Sequence, residues 1–372
     1  MGGLGVFVDE ITKIQALKSD VTILGHNPLC LEYEEKVLDG RRVINAQNTS
    51  IEIRPDGPYH IMAINDMMTE NLLYHLKNES FDLVHMHDTV LWPIARYSAI
   101  LFDCPIITSC HLSHALIHKQ FAYSRQKRFE VTQEAHAYIK SDQVLTCSKF
   151  YAQALREYFW LTSEPVAIPN GVNAAHLKQF DYDSDFNLRL GKGKPVVGFV
   201  GRLVPSKGIN LILSAIRNRP DIHFIVISNI APTLENFMPL AMQLKDLEKA
   251  ENVTWYRNLP NYDPEKWRIM ASCNLGIVPS LHEPWGIVAD EWAALKVPRI
   301  VSAVGGLLEH CDQTNAIMFD PKKERLSDMI RFDVDHHIID NAYQSACRNT
   351  WEKTASEVEK QYEEAIHARS IN

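Results

Sequence analysis

Leu275-Gly276-Ile277-Val278-Pro279-Ser280-Leu281-His282-Glu283-Pro284-Trp285-Gly286-Ile287-Val288-Ala289-Asp290-Glu291 begins as a short apolar strand, breaks into a proline-bounded loop and enters a helix, and a second strand pattern follows at residues 299–302. Strand, loop, helix and strand in that order make the repeating unit of a parallel sheet. Ile287, Val288, Trp292 and Leu295 define the buried stripe of the helix, and Glu291 falls on it, four residues from both Ile287 and Leu295. A carboxylate in that position is either a satisfied structural group or faces a polar ligand, because burying it unpaired is costly. At the helix start, the N–H groups of Gly286 and Ile287 and the positive end of the helix dipole attract phosphate. Pro284 fixes the approach, and Gly286 lets a ligand come close to the backbone. The segment therefore reads as a cradle for a phosphorylated, hydroxyl-rich ligand, with Glu283 at one end and Glu291 at the other.

Working outward, short β-branched runs alternate with helical periodicity at residues 21–24, 83–86, 106–109, 144–147, 196–200, 224–228, 253–256, 275–278, 299–302 and 317–319. That alternation predicts open parallel sheets covered on both faces, in two Rossmann-like domains. The expected division is an N-terminal domain over 1–180, a polar linker over 181–194, a C-terminal domain over 195–354 and a final helix over 355–372. The linker is placed where Asp181-Tyr182-Asp183-Ser184-Asp185 and Gly191-Lys192-Gly193-Lys194 lack apolar periodicity. From about Ala342 to Ala368 the chain is amphipathic and helical, with Trp351, Val358 and Tyr362 as packing candidates.

The 372 residues are 46% hydrophobic and 23% charged, enough for two cored domains. A net charge of −8 argues against nucleic acid or an anionic membrane as the main partner, and Arg125-Gln126-Lys127-Arg128 reads as a solvated helix face. The seven cysteines, among them Cys30, are scattered without a Cys-x-x-Cys pair, so a reducing, cytoplasmic setting is expected. No apolar run is long enough to span a membrane and no signal peptide is evident.

Ligands of open parallel sheets gather at the carboxyl ends of strands. There stand Arg202 and Lys207, in Gly201-Arg202-Leu203-Val204-Pro205-Ser206-Lys207-Gly208, with reach to a diphosphate. His87-Asp88 and His111 follow strands of the first half, with His114 and Trp92 nearby. Gly2, Gly3 and Gly5 form a tight turn before a helix with Leu4, Phe7, Val8, Ile11 and Ile14 as its apolar positions. The strand that such a turn normally follows is missing from the sequence, and the expectation is a trimmed start rather than another segment in its place.

Glu-x7-Glu within Pro-Ser-x-x-Glu-Pro-x-Gly resembles the signature of retaining, nucleotide-sugar-dependent glycosyltransferases of the GT-B fold, related to glycogen, starch and sucrose synthases. Gly-Arg-Leu-x-x-x-Lys-Gly at 201–208 is similar to a second family segment. The resemblance implies two Rossmann-like domains facing across a cleft that closes, with the last helix crossing back to the first domain. It implies that Glu283 touches the donor sugar, that the amides of Trp285, Gly286 and Ile287 hold the distal phosphate, and that Glu291 binds the ribose hydroxyls. Arg202 and Lys207 would stabilise the leaving diphosphate, Gly3 and Gly5 would lie beside the donor, and His111 would approach its sugar. His87, Asp88 and His114 would face the acceptor. Glu134, Ser148 and Pro169-Asn170-Gly171 also match family landmarks, Ser148 reading equally as a helix cap. Asn173 stands where the family commonly has Asp, which leaves the role of that carboxylate open, and Arg257 or Asn258 stands where it has Gly, which leaves the base of the nucleotide open.

The expected activity is metal-independent, retaining transfer of a glucose-type hexosyl group from a UDP-linked donor to a sugar or glycoside hydroxyl, with no cofactor beyond the donor. A sugar-nucleotide epimerase and an inactive nucleotide-sugar-binding protein are the alternatives. Asp181-Tyr182-Asp183 and Asp183-Ser184-Asp185 formally match the Asp-x-Asp of metal-dependent transferases, but their setting reads as an acidic spacer.

Overall fold

Alternate residues of one strand point to opposite faces of its sheet, so a strand that is apolar without interruption must be covered on both sides. The computed structural model, which describes residues 3–26, 34–46, 58–121, 128–228, 245–257 and 259–371, bears this out. Gly2, Cys30, Arg125, Gln126, Lys127 and Asn258 lie outside the described residues. The chain divides into an N-terminal unit, residues 2–169 with 351–372, and a C-terminal unit, Asn170–Thr350.

The N-terminal unit has seven described strands: β1 (Thr22–His26), β2 (Glu34–Leu38), β3 (Arg41–Ala46), β4 (Val84–Met86), β5 (Ile106–Cys110), β6 (Gln143–Thr146) and β7 (Val166–Ala167). They form a sheet β1-β3-β2 and a parallel sheet β4-β5-β6-β7. β2 runs antiparallel to β3, against the expectation of parallel strands throughout. The two are joined by Asp39-Gly40, both with positive φ (49° and 79°), a two-residue hairpin turn. The helix Gly3–Gln15 buries Phe7 and Ile11. Leu4, expected on that stripe, is exposed at 38%. Gly3 and Gly5 stand in the first turn of the helix and not ahead of it.

The C-terminal unit holds β8 (Val196–Val200), β9 (His223–Ser228), β10 (Val253–Arg257), β11 (Leu275–Val278), β12 (Arg299–Ser302) and β13 (Ile317–Phe319). They form one sheet in the order β10-β9-β8-β11-β12-β13, parallel at every pairing. Val196, Ile225, Ile227 and Val301 pack on one face. Val197, Phe199, Phe224 and Val226 pack on the other. This is the doubly wound order, and its direction reverses between β8 and β11, the switch point at which such sheets bind ligands.

Two boundaries differ from the expected ones. The units exchange at 169/170 and 350/351, and residues 181–194 are not a free linker. Asp183 accepts from the Phe186 amide at 2.8 Å and caps the helix Ser184–Gly191, which buries Asn187 and Leu190 in the C-terminal unit. Hydrogen bonds from the Asn187 amide to the Ser272 carbonyl at 2.6 Å and to Asn274 at 3.0 Å fix it there. The amphipathic tail is two helices, His336–Arg348 and Trp351–Ile371. The second packs on the N-terminal unit: Thr354 donates to the Pro169 carbonyl at 2.8 Å, and Arg369 pairs with Asp103 at 2.7 Å. No described helix is long and apolar enough to cross a membrane.

Candidate functional site

Three loops leave the carboxyl ends of β8, β11 and β12, and their backbones are stitched together. The Ser206 carbonyl accepts from the amides of Leu281 at 2.8 Å and His282 at 3.1 Å, and the Glu283 carbonyl accepts from Gly306 at 2.9 Å. The last contact depends on Gly305, whose φ is +56° and whose Cβ, if present, would stand 2.3 Å from the Glu283 oxygen. Gly286, at φ +101°, begins the helix Ile287–Ala294, and among the described residues no side chain caps that end. An uncapped helix start of this kind is a place where an anion can be received.

Glu283 is buried at 5% exposure beneath these loops. Its Oε2 accepts from Lys207 Nζ at 2.6 Å and from Ser280 Oγ at 2.8 Å. Lys207 is thus held at the carboxylate, while Arg202 is exposed and enters no ion pair given by the structure among the described residues. Glu291, 7% exposed, also has a partner: Lys266 Nζ lies 3.3 Å from both of its carboxylate oxygens. Lys266 belongs to the helix Pro264–Ala271 and sits 3.8 Å from the centroid of the Trp267 ring, a cation over an aromatic face. The sequence reading missed Lys266. Its signal was a cation three and four residues before the apolar Ile269 and Met270, on the buried side of its helix.

The Trp285 side chain turns inward, stacked on His310 with 4.3 Å between centroids. At the sheet edge, in β10, Tyr256 is half-buried, and Arg257 is exposed over the Trp255 ring at 3.9 Å and paired with Glu248.

In the N-terminal unit the strand ends gather three histidines. His87 Nδ1 is 3.2 Å from His111 Nε2, and His85, within β4, contacts the Tyr362 hydroxyl and, through Nε2, Ser109 Oγ at 2.8 Å. Phe7 packs edge-on against His111 at 4.7 Å. Burial lowers all three histidines, His85 to about 3, His111 to about 4 and His87 well below its ordinary value, with mutual repulsion adding to burial at His85 and His87. The rings are therefore neutral at physiological pH, and one of the His87–His111 pair donates to the other.

His114 differs from these. Burial works against its charge, but the hydrogen bond and charge of Glu130, 3.1 Å away, with Glu134 and Asp88 behind it, hold it above its ordinary value. Glu134, fully buried, accepts from Ser113 Oγ and from the His114 and Ala115 amides, which anchors the start of the helix His114–Phe121. Asp88 accepts from the Val90 amide at 3.2 Å and caps a short turn, while burial raises its pKa above the ordinary carboxylate value. Trp92, close to His87-Asp88 in the sequence, lies in the core with Met86 and Ile106. Ser148 caps the helix Lys149–Phe159, and Asn173 caps Ala174–Leu177 by accepting from the His176 amide at 3.0 Å. Asp183, within both formal Asp-x-Asp matches, is likewise a helix cap.

The structure thus places Arg202 and Lys207 after β8, and Glu283, Trp285, Gly286, Ile287 and Glu291 after β11, the two strands of the switch point, and joins Lys207 to Glu283 by an ion pair. It brings His87 and His111 into contact in the N-terminal unit, where Gly3, Gly5, Asp88 and His114 also lie.

Among solved structures, the chain is similar to sucrose-phosphate synthase from Thermosynechococcus elongatus, with a TM-score of 0.81 and 20% identity over 99% of this chain and 94% of that one. It is also similar to Anabaena HepE in complex with UDP and glucose, with a TM-score of 0.72 and 17% identity over 98% and 96%. These likenesses establish the GT-B fold. In sequence it is 28% identical over 301 residues to an uncharacterised glycosyltransferase of Methanocaldococcus jannaschii, covering 78% of this chain and 77% of that one. It is 26% identical over 332 residues to glycogen synthase of Mycobacterium tuberculosis, covering 83% and 76%. The family model "Glycosyltransferase Family 4" matches residues 1–176, and "Glycosyl transferases group 1" matches residues 182–343. The two models follow one another along nearly the whole chain, which belongs to the group 1, family 4 glycosyltransferases.

Proposed function

We propose that the enzyme moves a glucose-type hexosyl group from UDP to the hydroxyl of a sugar or glycoside, with retention and without a metal, in a cytoplasmic setting. The observation that carries this reading is the pairing of two buried glutamates with an uncapped helix start. Glu283 and Glu291 bracket the amides of Trp285, Gly286 and Ile287 at the sheet's switch point, with Arg202 exposed after the neighbouring strand β8. In this reading Glu291 accepts from the ribose hydroxyls, Glu283 from the donor sugar, and the amides take the distal phosphate. A uracil nucleotide and glucose are supported by the HepE complex with UDP and glucose and by a trehalose-6-phosphate synthase of the same fold bound with UDP-2-fluoro glucose.

Departure of the diphosphate spreads negative charge over its oxygens, and fixed donors aimed at that charge lower the barrier. Arg202 does so by paired bonds and Lys207 as a point charge. The acceptor hydroxyl attacks from the face that the diphosphate leaves, and a phosphate oxygen takes its proton. His111 serves the donor sugar, with Gly3 and Gly5 beside it, and His87, Asp88 and His114 serve the acceptor.

Calorimetry of UDP, ADP and GDP with the wild-type chain and with Glu291→Ala tests the reading. UDP binding that weakens ten-fold or more in the variant, about 1.4 kcal/mol, supports it. Equal binding by the two proteins, or no nucleotide binding to a folded wild type, overturns it. Transfer from UDP-glucose that persists in EDTA supports metal independence.

A further inference from the structure

Behind the donor loop, Asp290, His310 and Trp285 close a buried network, at 1%, 9% and 4% exposure. His310 Nδ1 lies 2.9 Å from Asp290 Oδ1, and Nε2 lies 2.9 Å from the Trp285 carbonyl oxygen. Trp285 Nε1 donates to Asp290 Oδ2 at 3.1 Å, and the indole stacks on the imidazole at an interplanar angle of 10°. Both ring nitrogens of His310 face acceptors, a carboxylate and a carbonyl, and only the imidazolium donates from both. Burial alone would discharge the ring, but Asp290, with Cys311 in support, raises it well above its ordinary value. Cys311 Sγ stands 3.7 Å from Nδ1, and Arg299 Nη2 stands 3.6 Å from that sulfur.

Two consequences follow for the cradle. Asp290 lies in the first turn of the helix, where an unneutralised carboxylate would oppose an incoming diphosphate, and His310 cancels that charge at contact distance. The second consequence is geometric. A trans peptide is planar, with its C=O and the following N–H pointing in opposite directions. Holding the Trp285 carbonyl against His310 therefore turns the Gly286 N–H away from the interior.

We propose that His310 is a positioning residue for donor binding: through the Trp285 carbonyl it aims the Gly286 amide at the diphosphate. The inference rests on the reading that the amides of residues 285–287 receive that diphosphate.

The test separates the carbonyl clamp from the charge by working in an Asp290→Asn background, where the pair is neutral and a histidine Nε2–H can still donate to Trp285. UDP affinity is measured by calorimetry for D290N, D290N/H310F and D290N/H310Q. Phenylalanine keeps the stack and loses the donor, whereas glutamine restores an N–H. Relative to D290N, the phenylalanine variant is expected to bind UDP at least ten-fold more weakly, and the glutamine variant to recover most of that loss. If the phenylalanine variant does not fold, D290N/H310M supplies the donorless comparison. Equal UDP affinity in the donorless variant and D290N overturns the inference. If the wild type binds no UDP, or binds it as Glu291→Ala does, the cradle reading itself has failed, which is a distinguishable result.

Discussion

Replacing Lys266 by Met keeps a side chain of similar length against Trp267 and removes the only ion-pair partner that the structure gives Glu291 among the described residues. At 3.3 Å and an effective dielectric of about 20, the Coulomb attraction lost is about 5 kcal/mol. Measured costs of breaking one side of a buried pair are about 3–5 kcal/mol, and Glu291 at 7% exposure has little water to fall back on. Lys266→Met is therefore expected to lower the stability of the C-terminal unit by about 3 kcal/mol or more. Adding Glu291→Gln to that variant should recover most of the loss, because the stranded charge goes with it. Urea unfolding at pH 7, followed by tryptophan fluorescence for the wild type, both single variants and the double variant, gives the coupling directly. A loss below about 1 kcal/mol for Lys266→Met, or no recovery in the double variant, would refute the argument that this ion pair is what makes Glu291 tolerable in the interior.

Three further outcomes are expected. Gly305→Ala forces a Cβ to within 2.3 Å of the Glu283 carbonyl at a φ of +56°, so the loop after β11 must shift; UDP affinity measured by calorimetry should fall at least ten-fold, and unchanged affinity would show that the loops are not coupled. Arg202→Ala should leave the urea midpoint nearly unchanged, since the side chain is exposed, yet lower the rate of hexosyl transfer by about 10²–10³-fold if it stabilises the leaving diphosphate; wild-type turnover would remove Arg202 from that role. His85 and His111, lowered to about 3 and about 4, are folded as neutral rings, so their stabilising contribution is complete above the unfolded value of 6.5. It is lost as the pH falls from there toward 4, at about 1.4 kcal/mol per pH unit per histidine. Urea midpoints between pH 7 and 5 should therefore drop more steeply for the wild type than for His111→Phe, and parallel curves would contradict the burial of that ring.

The parallel sheet of the C-terminal unit was legible because its central strands are buried on both faces and therefore apolar. Val196–Val200 and Leu275–Val278 carry that signal without help from neighbours. β2 and β3 were not, since Glu34, Glu35, Lys36, Arg41 and Arg42 break the apolar run, and only Asp39-Gly40 announced the hairpin. The helix Ser184–Gly191 escaped notice because it buries little beyond Asn187 and Leu190 and is held by hydrogen bonds that no periodicity reports. In the site, the loop chemistry and both glutamates were readable from local spacing. Lys266 and His310 were not read, because each meets its carboxylate across 20 or more residues of chain, and contacts of that kind are made by the sheet order and not by local sequence.

The two cation–carboxylate pairs, Lys207 with Glu283 and Lys266 with Glu291, bear on how a donor would enter. Each glutamate already carries a charge partner before any hydroxyl arrives, at 2.6 Å and 3.3 Å respectively, so neither must be desolvated from bulk water when a sugar or ribose docks. The longer Lys266 contact is shared evenly between both oxygens, which in the proposed reading leaves lone pairs for two hydroxyls, whereas Lys207 and Ser280 both occupy Oε2 of Glu283 and would leave Oε1 to the donor. On this reasoning Ser280→Ala frees a lone pair on Glu283 without uncovering its charge. It should change transfer less than Lys207→Ala, which leaves a carboxylate of 5% exposure without its cation where the proposed reading puts the donor. Steady-state rates with UDP-glucose decide between them, and a Ser280→Ala enzyme as impaired as Lys207→Ala would mean that the hydroxyl, and not the charge, sets the carboxylate in place.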